Sequence, residues 1–152
     1  MRPLYFDASA LVKAYVAEPG SECVARIFEA ADQLFTCRIA FAEVLATFGR
    51  KRSESRSLES QIDRLADDFC QDWSSIATIE LNSDLLDVVR GRAFRHSLRA
   101  LDLLHLSAAC WLKEVIGVPI TLISSDQRQL AAARQESLPV FDPEHDDPAI
   151  LG

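Results

Sequence analysis

The sequence has no apolar run long enough to span a membrane. A transmembrane helix needs about 20 consecutive, mostly apolar residues, and the apolar stretches of this 152-residue chain are far shorter. The first residues, Met1 to Asp7, also lack the long apolar centre of a secretory signal peptide. We therefore expect a protein that makes no membrane contact and resides in the cytoplasm.

Cysteine pairs are absent as well. The four cysteines are widely spaced and form no Cys-x-x-Cys motif, so neither a zinc site nor a disulfide framework is indicated. Hydrophobic residues make up 49% of the chain, and a domain of this size buries roughly two-thirds of its unfolded surface without cross-links. We expect one domain over residues 1–152, with reduced thiols in its core at Cys23, Cys37, Cys70 and Cys110.

The chain has fewer basic residues than acidic ones. Lysine and arginine together number 16 against 23 aspartates and glutamates, which gives a net charge of -7 at pH 7. Proteins that hold nucleic acid mainly through bulk electrostatics are usually basic overall. Any contact with nucleic acid must therefore be local or assisted by metal ions.

The sequence does contain a regular alternation of strand and helix patterns. Short apolar runs at 4–6 and 120–123 are typical of strands buried in a parallel sheet, and each leads into a helical pattern. Similar runs at 34–37 and 76–81 alternate with amphipathic helices, and residues 140–141 favour an edge strand. The alternation predicts an α/β fold, a three-layer α/β/α sandwich with a central parallel sheet.

The pattern between Leu98 and Val115 predicts the strongest helix, with one apolar face turned to the core. His105 shares that face, which indicates a packed core histidine rather than a catalytic one. The residues predicted to form the buried stripe are Leu101, Leu104, Ala108, Trp111, Leu112 and Val115.

Two aspartates stand where a strand gives way to a helix. Asp7 follows the first apolar run, and Asp126 follows the run at 120–123 after two serines. Because ligands bind at the carboxyl ends of parallel strands, we expect the two carboxylates to meet at one edge of the sheet. An aspartate in this position is also an ordinary helix N-cap, so each residue by itself has a structural interpretation too.

Two further acids interrupt apolar helices. Asp102 lies early in the helix predicted at 98–115, with no lysine or arginine at four-residue spacing, and Glu43 lies among small residues of the helical pattern at 38–52. Exposure at a helix margin is the alternative interpretation of both. If all four carboxylates converge, two unit charges about 4 Å apart repel by about 4 kcal/mol at an effective dielectric near 20, and bound cations would remove that cost. Carboxylate oxygens favour Mg²⁺ or Mn²⁺, and a pair of such ions supports phosphodiester hydrolysis.

These segments resemble the PIN domain. Residues 4–12 (LYFDASALV) and 101–109 (LDLLHLSAA) are similar to motifs of that family, and residues 123–130 (ISSDQRQL) are similar to its last motif. The order of the acids, one after the first strand, two on helices and one after a late strand, spans nearly the whole chain. In its size and its start at the first strand, the chain resembles the VapC-type toxins within this family.

The resemblance implies a metal-dependent endoribonuclease that uses Mg²⁺ or Mn²⁺ and cleaves single-stranded or loop RNA, leaving 5′-phosphate and 3′-hydroxyl ends. It also implies a homodimer and a cognate antitoxin, with the helices between Glu43 and Trp73 as candidate surfaces for either. The residues that match the family's catalytic and metal-binding acids are Asp7, Glu43, Asp102 and Asp126. Those that match its accessory polar positions are Ser9 and either Ser124 or Ser125.

One basic cluster precedes the helix predicted at 98–115, and it consists of Arg90, Arg92, Arg95, His96 and Arg99. Its charges, chiefly those of Arg92, Arg95 and Arg99, would guide RNA phosphates toward the acids, and Lys13 near Asp7 would do the same. Solvated surface charge is the alternative interpretation for all of them.

Other functions fit less well. A phosphotransfer hydrolase of the haloacid-dehalogenase type needs a second aspartate two residues after the first, where Ser9 stands. A response-regulator receiver needs an early acidic pair and a late lysine on a strand, and the sequence shows neither. A PIN-like module that only binds a protein or an RNA is the remaining alternative, and it should tolerate Asp7→Asn or Asp102→Asn.

Overall fold

A computed structural model describes residues 3–151, so Met1, Arg2 and Gly152 of the predicted domain lie outside the described residues. The strands form one sheet in the order β3-β2-β1-β4-β5, and every neighbouring pair is parallel. The predicted α/β sandwich with a central parallel sheet is confirmed. The strands are β1 (Leu4–Phe6), β2 (Leu34–Cys37), β3 (Ala77–Ile79), β4 (Thr121–Ile123) and β5 (Val140–Phe141).

Helices cover both faces of the sheet. Successive side chains of a strand point to opposite faces, so Leu4 and Phe6 pack into one apolar cluster with α1 to α4, while Tyr5 packs into a second one with α5 to α7. Within residues 3–151, no helix is long and apolar enough to cross a membrane. The helices are α1 (Ala8–Val12), α2 (Ser21–Ala30), α3 (Ala40–Glu54), α4 (Glu59–Asp72), α5 (Ser83–Ala93), α6 (Ala100–Ile116) and α7 (Gln127–Gln135).

The two central strands fix the position of the site. All three residues of β1 are fully buried, and burying each such side chain contributes roughly 1.5–3 kcal/mol. The register pairs Phe6 with Ile123, so β1 and β4 end at the same level. The chain places β2 and β3 on one side of β1, and β4 and β5 on the other. Ligand sites of such sheets form where the strand order reverses, which here is between β1 and β4.

The buried face of α6 differs from the predicted stripe. Leu101 and Val115 are 42% and 60% exposed, whereas Leu103, Leu106 and Cys110 are buried. The reason is that α6 packs against the sheet, α5 and α7 together. Most of its circumference is therefore buried in the middle of the helix, and no single stripe identifies its core face.

Three of the four cysteines are buried free thiols, namely Cys23, Cys37 and Cys110. Burial raises the pKa of each of these thiols, which keeps them protonated. The prediction of a core position is wrong for Cys70, which is exposed. Cys70 directly follows the buried Phe69 on α4, and adjacent residues of a helix point in different directions.

Candidate active site

Asp7 lies at the centre of the carboxyl edge of the sheet and is only 3% exposed. Its side chain caps α1, because Oδ1 accepts a hydrogen bond from the Ala10 amide (2.9 Å). The Ser9 hydroxyl donates to the same Oδ1 (2.7 Å), and the Ser124 hydroxyl donates to Oδ2 (2.5 Å). The N-cap interpretation is therefore correct, and the same contacts fix the direction of both carboxylate oxygens.

The loop after β4 connects two of the acids. The Asp126 amide donates to Ser124 Oγ (3.0 Å), which itself donates to Asp7. The Ser125 amide donates to Ser9 Oγ (3.2 Å). The sequence analysis did not decide between Ser124 and Ser125 as the accessory polar residue. In the structure, Ser124 is the one that contacts Asp7. The Ser125 hydroxyl oxygen is buried and has no hydrogen-bond partner among the described residues.

Asp126 caps α7, since its Oδ1 accepts from the amides of Arg128 (2.8 Å) and Gln129 (3.0 Å). The side chain of Gln129 in turn donates to the backbone carbonyl of Asp102 (3.3 Å), in the first turn of α6. This contact joins the start of α7 to the start of α6. It brings the segment that contains Asp102 to the same edge of the sheet as Asp126.

Glu43 lies in the first turn of α3, and its Oε2 is 2.6 Å from Nε2 of His105. Nδ1 of His105 is 2.8 Å from the Tyr5 hydroxyl oxygen. His105 is only 1% exposed, so its prediction as a buried histidine is correct. The sequence analysis did not predict its contact with Glu43. Its position one helical turn after Asp102 indicates only that it lies near that acid and does not indicate Glu43 as its partner.

One cleft of 870 Å³ contains the four predicted acids in its lining. The first turns of α3 and α6, the start of α1 and the loop after β4 bound this cleft, and a smaller cavity of 280 Å³ adjoins it at Asp102 and Asp126. In the conformations found here, no group of three or more His, Cys, Asp or Glu side chains within residues 3–151 is arranged to hold a metal ion. Four of the six acids that line the cleft are the predicted ones, Asp7, Glu43, Asp102 and Asp126, and the other two, Glu18 and Glu144, both pair with Lys13.

The pKa values of two of these acids, Asp7 and Asp102, are raised. Burial raises the pKa of the Asp7 carboxyl, although neighbouring groups and hydrogen-bond donors offset part of the effect. The pKa of the Asp102 carboxyl is raised first by burial and then by the charges of Asp126 and Asp7. Carboxylates that share a site disfavour one another's ionisation. The acids are thus close enough for their charges to interact, and a cation between them would lower the free energy of the charged state.

Arg92 and Arg95, which were predicted to guide RNA, are not among the residues that line the cleft. Both pair with Glu136 at the end of α7, through Arg92 Nε (3.2 Å) and Arg95 Nη2 (3.4 Å). Nε2 of His96, which is buried, lies 2.7 Å from Oε1 of the same carboxylate. Glu136 and Arg92 are both nearly buried, with side chains 9% and 12% exposed, whereas Arg95 reaches the same carboxylate from the surface. Arg92, Arg95 and His96 thus join the end of α5 to the end of α7, and none of the three lines the cleft.

Replacing Glu136 by glutamine tests the contribution of this cluster. Burial alone would raise the pKa of the Glu136 carboxyl, but the hydrogen bond from His96 and the charges of Arg92 and Arg95 outweigh it and hold the pKa below its usual value. Such a carboxylate stabilises the fold above its unfolded pKa of about 4.3, and the contribution is lost as the pH falls through the folded pKa. We expect Glu136→Gln to lower the free energy of unfolding by roughly 2 kcal/mol at pH 7, with a smaller deficit at more acidic pH. Urea unfolding at several pH values measures this loss of stability, and Glu29→Gln, at an exposed position of α2, is the control. A loss of stability that does not change with pH would contradict the prediction.

Lys13 is buried rather than free to meet RNA. Its Nζ donates to Glu144 Oε1 (2.8 Å), to the Pro19 carbonyl (2.9 Å) and to Glu18 Oε1 (3.1 Å). An ammonium group has three donors, and all three are used inside the protein. Lys13 lines the cleft, but its contacts join the end of α1 to the C-terminal segment, which corrects its interpretation as a phosphate guide.

Other basic side chains lie at the cleft instead. Arg50 and Lys51 of α3 line it, together with the predicted Arg99. Arg128 lines the adjoining cavity, where Arg99 recurs. Arg50 and Lys51 come seven and eight residues after Glu43, which is two helical turns and therefore the same helix face. That spacing was the signal in the sequence that would have identified them.

The sequence matches a known domain family and a ribonuclease. A PIN domain matches residues 4–135. Ribonuclease VapC45 of Mycobacterium tuberculosis (strain CDC 1551 / Oshkosh) is 28% identical over 127 residues, which cover 84% of this chain and 85% of that protein.

Among solved structures, PAE2754 from Pyrobaculum aerophilum has a TM-score of 0.60 at 16% identity, covering 94% of this chain and 90% of that one. VapBC2 from Rickettsia felis, bound to a DNA fragment from their promoter, has a TM-score of 0.58 at 14% identity, covering 92% of this chain and 98% of that one. Likeness at such low identity shows the fold alone. The domain match, however, spans most of the sequence and includes β1 to α7 and the four predicted acids. The chain therefore belongs to the PIN-domain family.

Proposed function

We propose that this chain is a divalent-cation-dependent endoribonuclease that acts as the toxin of a toxin-antitoxin pair. The observation that carries the proposal is that four acidic side chains from four separate segments line one cleft at the carboxyl edge of the sheet. Family membership and a relative named as a ribonuclease support RNA as the substrate. Because one fold serves many functions, the acids in the cleft are the stronger argument.

The donor set of the cleft fits a hard divalent cation. The carboxylates offer only oxygen, and the imidazole of His105 already has Tyr5 and Glu43 as partners. The buried Ser125 hydroxyl, which lines the cleft without a partner among the described residues, is a further oxygen that a ligand would satisfy. When bound, such cations activate water and stabilise the leaving oxygen of a phosphodiester. The residues proposed to hold Mg²⁺ or Mn²⁺ are Asp7, Glu43, Asp102 and Asp126.

The protein's own contribution is to orient these acids before substrate arrives. Three donors fix both oxygens of Asp7, and two backbone amides fix Oδ1 of Asp126. Carboxylates held in this way need little reorganisation during the reaction, which is where much of enzymatic rate enhancement originates. Ser9 and Ser124 are therefore proposed as positioning residues for Asp7.

Local positive charge at the cleft is proposed to bind the RNA backbone. Arg99 lies where the cleft meets the adjoining cavity, and Arg50 lies on the α3 side. We expect the double variant Arg50→Ala, Arg99→Ala to raise the KM for RNA roughly tenfold with kcat near wild type, since phosphate contacts supply affinity. Each lost contact should lower the slope of log affinity against log salt by about 0.7 for single-stranded RNA.

Fluorescence anisotropy with labelled RNA measures that slope, and an Asp7→Asn background prevents cleavage during the titration. Arg134→Ala is the matched control, because Arg134 is exposed near the far end of α7. An unchanged slope in the double variant would place the RNA elsewhere on the protein.

Sequencing of the 5′ ends produced on total RNA tests the activity itself. We expect discrete internal cuts with 5′-phosphate and 3′-hydroxyl ends when Mg²⁺ or Mn²⁺ is present. RNA that stays intact, with tight binding, would instead support the non-catalytic binding module.

The same proposal includes a homodimer, which light scattering would show as twice the mass of one chain. It also includes an antitoxin whose coexpression relieves growth arrest.

A further inference from the structure

We propose that His105 is a positioning residue that orients Glu43 toward the cation site, with Tyr5 holding the imidazole in place. This inference rests on the proposed function, because it concerns the acids of the same cleft. The observation behind it is a continuous hydrogen-bonded line from the Tyr5 hydroxyl through the imidazole to the Glu43 carboxylate. The line connects three elements that are far apart in the sequence, β1, α6 and α3.

The geometry restrains the imidazole on both sides. Nδ1 lies 2.8 Å from the Tyr5 hydroxyl oxygen, and Nε2 lies 2.6 Å from Glu43 Oε2. The rings of Tyr5 and His105 meet edge to face, with centroids 5.9 Å apart. Tyr5 is fully buried in the central strand β1, so close packing holds this end of the line in place.

The partners of the ring determine which nitrogen bears the hydrogen. A carboxylate oxygen only accepts, so Nε2 must donate to Glu43. In the neutral ring Nδ1 is then an acceptor, and the Tyr5 hydroxyl donates to it. The Tyr5 hydroxyl is fully buried, and Nδ1 of His105 is its hydrogen-bond partner. Tyr5 thus selects the tautomer that supports Glu43.

Glu43 depends on this contact more than the other acids depend on theirs. Asp7 and Asp126 are held by the helices that they cap. Among the described residues, His105 is the hydrogen-bond partner of the Glu43 carboxylate. A glutamate side chain loses more conformational entropy when it is fixed than an aspartate side chain does. Because His105 already holds Oε2 of Glu43, less of this entropy is lost when a cation binds. Partners that hold metal-binding groups typically change metal affinity or activity by about 10–100-fold.

The test replaces His105 by leucine and by glutamine, and Tyr5 by phenylalanine. Calorimetry of the RNA-free protein with Mn²⁺ is the first readout. We expect His105→Leu to weaken Mn²⁺ binding by about 10–100-fold, and His105→Gln, whose amide can still donate to Glu43, to restore most of it. Tyr5→Phe keeps the imidazole and should give an intermediate loss.

Two further readouts separate positioning from a merely structural role. His105 is almost fully buried, so its loss should leave the KM for RNA unchanged, and the cleavage deficit should recover at saturating Mn²⁺. Imidazole ¹⁵N shifts of the metal-free protein should show hydrogen on Nε2 and none on Nδ1. The shifts do not depend on any activity, and together with Tyr5→Phe they decide the question if His105→Leu fails to fold.

Failure of this inference differs from failure of the proposed function. If Glu43→Gln weakens Mn²⁺ binding but neither His105→Leu nor Tyr5→Phe does, the positioning role of His105 is overturned and the cation site stands. Hydrogen on Nδ1 in the ¹⁵N spectrum overturns it as well. A wild-type protein that neither binds Mn²⁺ nor cleaves RNA overturns the proposed function and this inference with it.

Discussion

Replacing Asp7 by asparagine is expected to lower the rate of RNA cleavage by about a thousandfold or more. The change removes a negative charge from the acid that lies between β1 and β4, while nearly preserving the shape of the side chain. A thousandfold corresponds to about 4 kcal/mol of transition-state stabilisation. Single-turnover rates on a labelled RNA at saturating Mn²⁺ measure the effect.

The same substitution is expected to leave the protein folded and to raise its melting temperature in cation-free buffer. Burial raises the pKa of the Asp7 carboxyl, so its ionised form destabilises the native state above that pKa. Asparagine has no charge to bury, and its amide oxygen still accepts from the Ala10 amide that caps α1. Activity and stability should therefore change in opposite directions.

Asp87→Asn is the matched control, since Asp87 is exposed on α5. We expect it to alter neither the cleavage rate nor the melting temperature. If Asp7→Asn cleaves RNA at the wild-type rate, Asp7 is not part of the catalytic set. The interpretation of the chain as a binding module would then be the better one.

Much of the fold could be predicted because its strands have a simple sequence pattern. β1 and β4 are uninterrupted apolar runs followed by an aspartate or a serine, and a strand buried on both faces needs that composition. The face of α6 could not be predicted, because its burial depends on α5 and α7 packing around it. Helical periodicity identifies a core face only when one side of the helix meets solvent.

The acids of the site could be predicted in part for the same reason. The position of Asp7 and Asp126 follows from the topology of a parallel sheet, which the strand and helix alternation indicates. The pairing of His105 with Glu43 joins residues 62 positions apart, and no local pattern contains that contact. It depends on how α3 and α6 approach each other over the edge of β1.

The basic residues show how sequence proximity misleads. Arg92 and Arg95 are close to Asp102 in the sequence, yet Glu136 on another helix pairs with both. Arg50 is far from Asp102 in the sequence, yet it lines the same cleft. Electrostatic pairing follows distance in space and burial, so helical spacing from Glu43 indicates Arg50, whereas the pairing of Arg92 and Arg95 with Glu136 follows only from the tertiary structure.

Removing divalent cations is expected to abolish RNA cleavage, and adding them back should restore it. The four predicted carboxylates line the cleft; burial raises the pKa of Asp7, and burial together with like charge raises the pKa of Asp102. Each carboxylate pair about 4 Å apart costs about 4 kcal/mol of repulsion at an effective dielectric near 20, which cations would neutralise. The measurement is cleavage of labelled RNA in excess EDTA, followed by titration with Mg²⁺ or Mn²⁺.

The same cations are expected to stabilise the fold. A ligand that binds only the native state at 100 times its Kd adds about 2.7 kcal/mol to the free energy of unfolding. For a domain of this size that raises the melting temperature by roughly 5–10 °C. Sodium chloride at equal ionic strength is the control for screening of surface charge, and Asp7→Asn should lose most of the shift. Cleavage that persists in excess EDTA would show that the acids act without a cation, and the carboxylates would then have to exchange protons with the RNA directly.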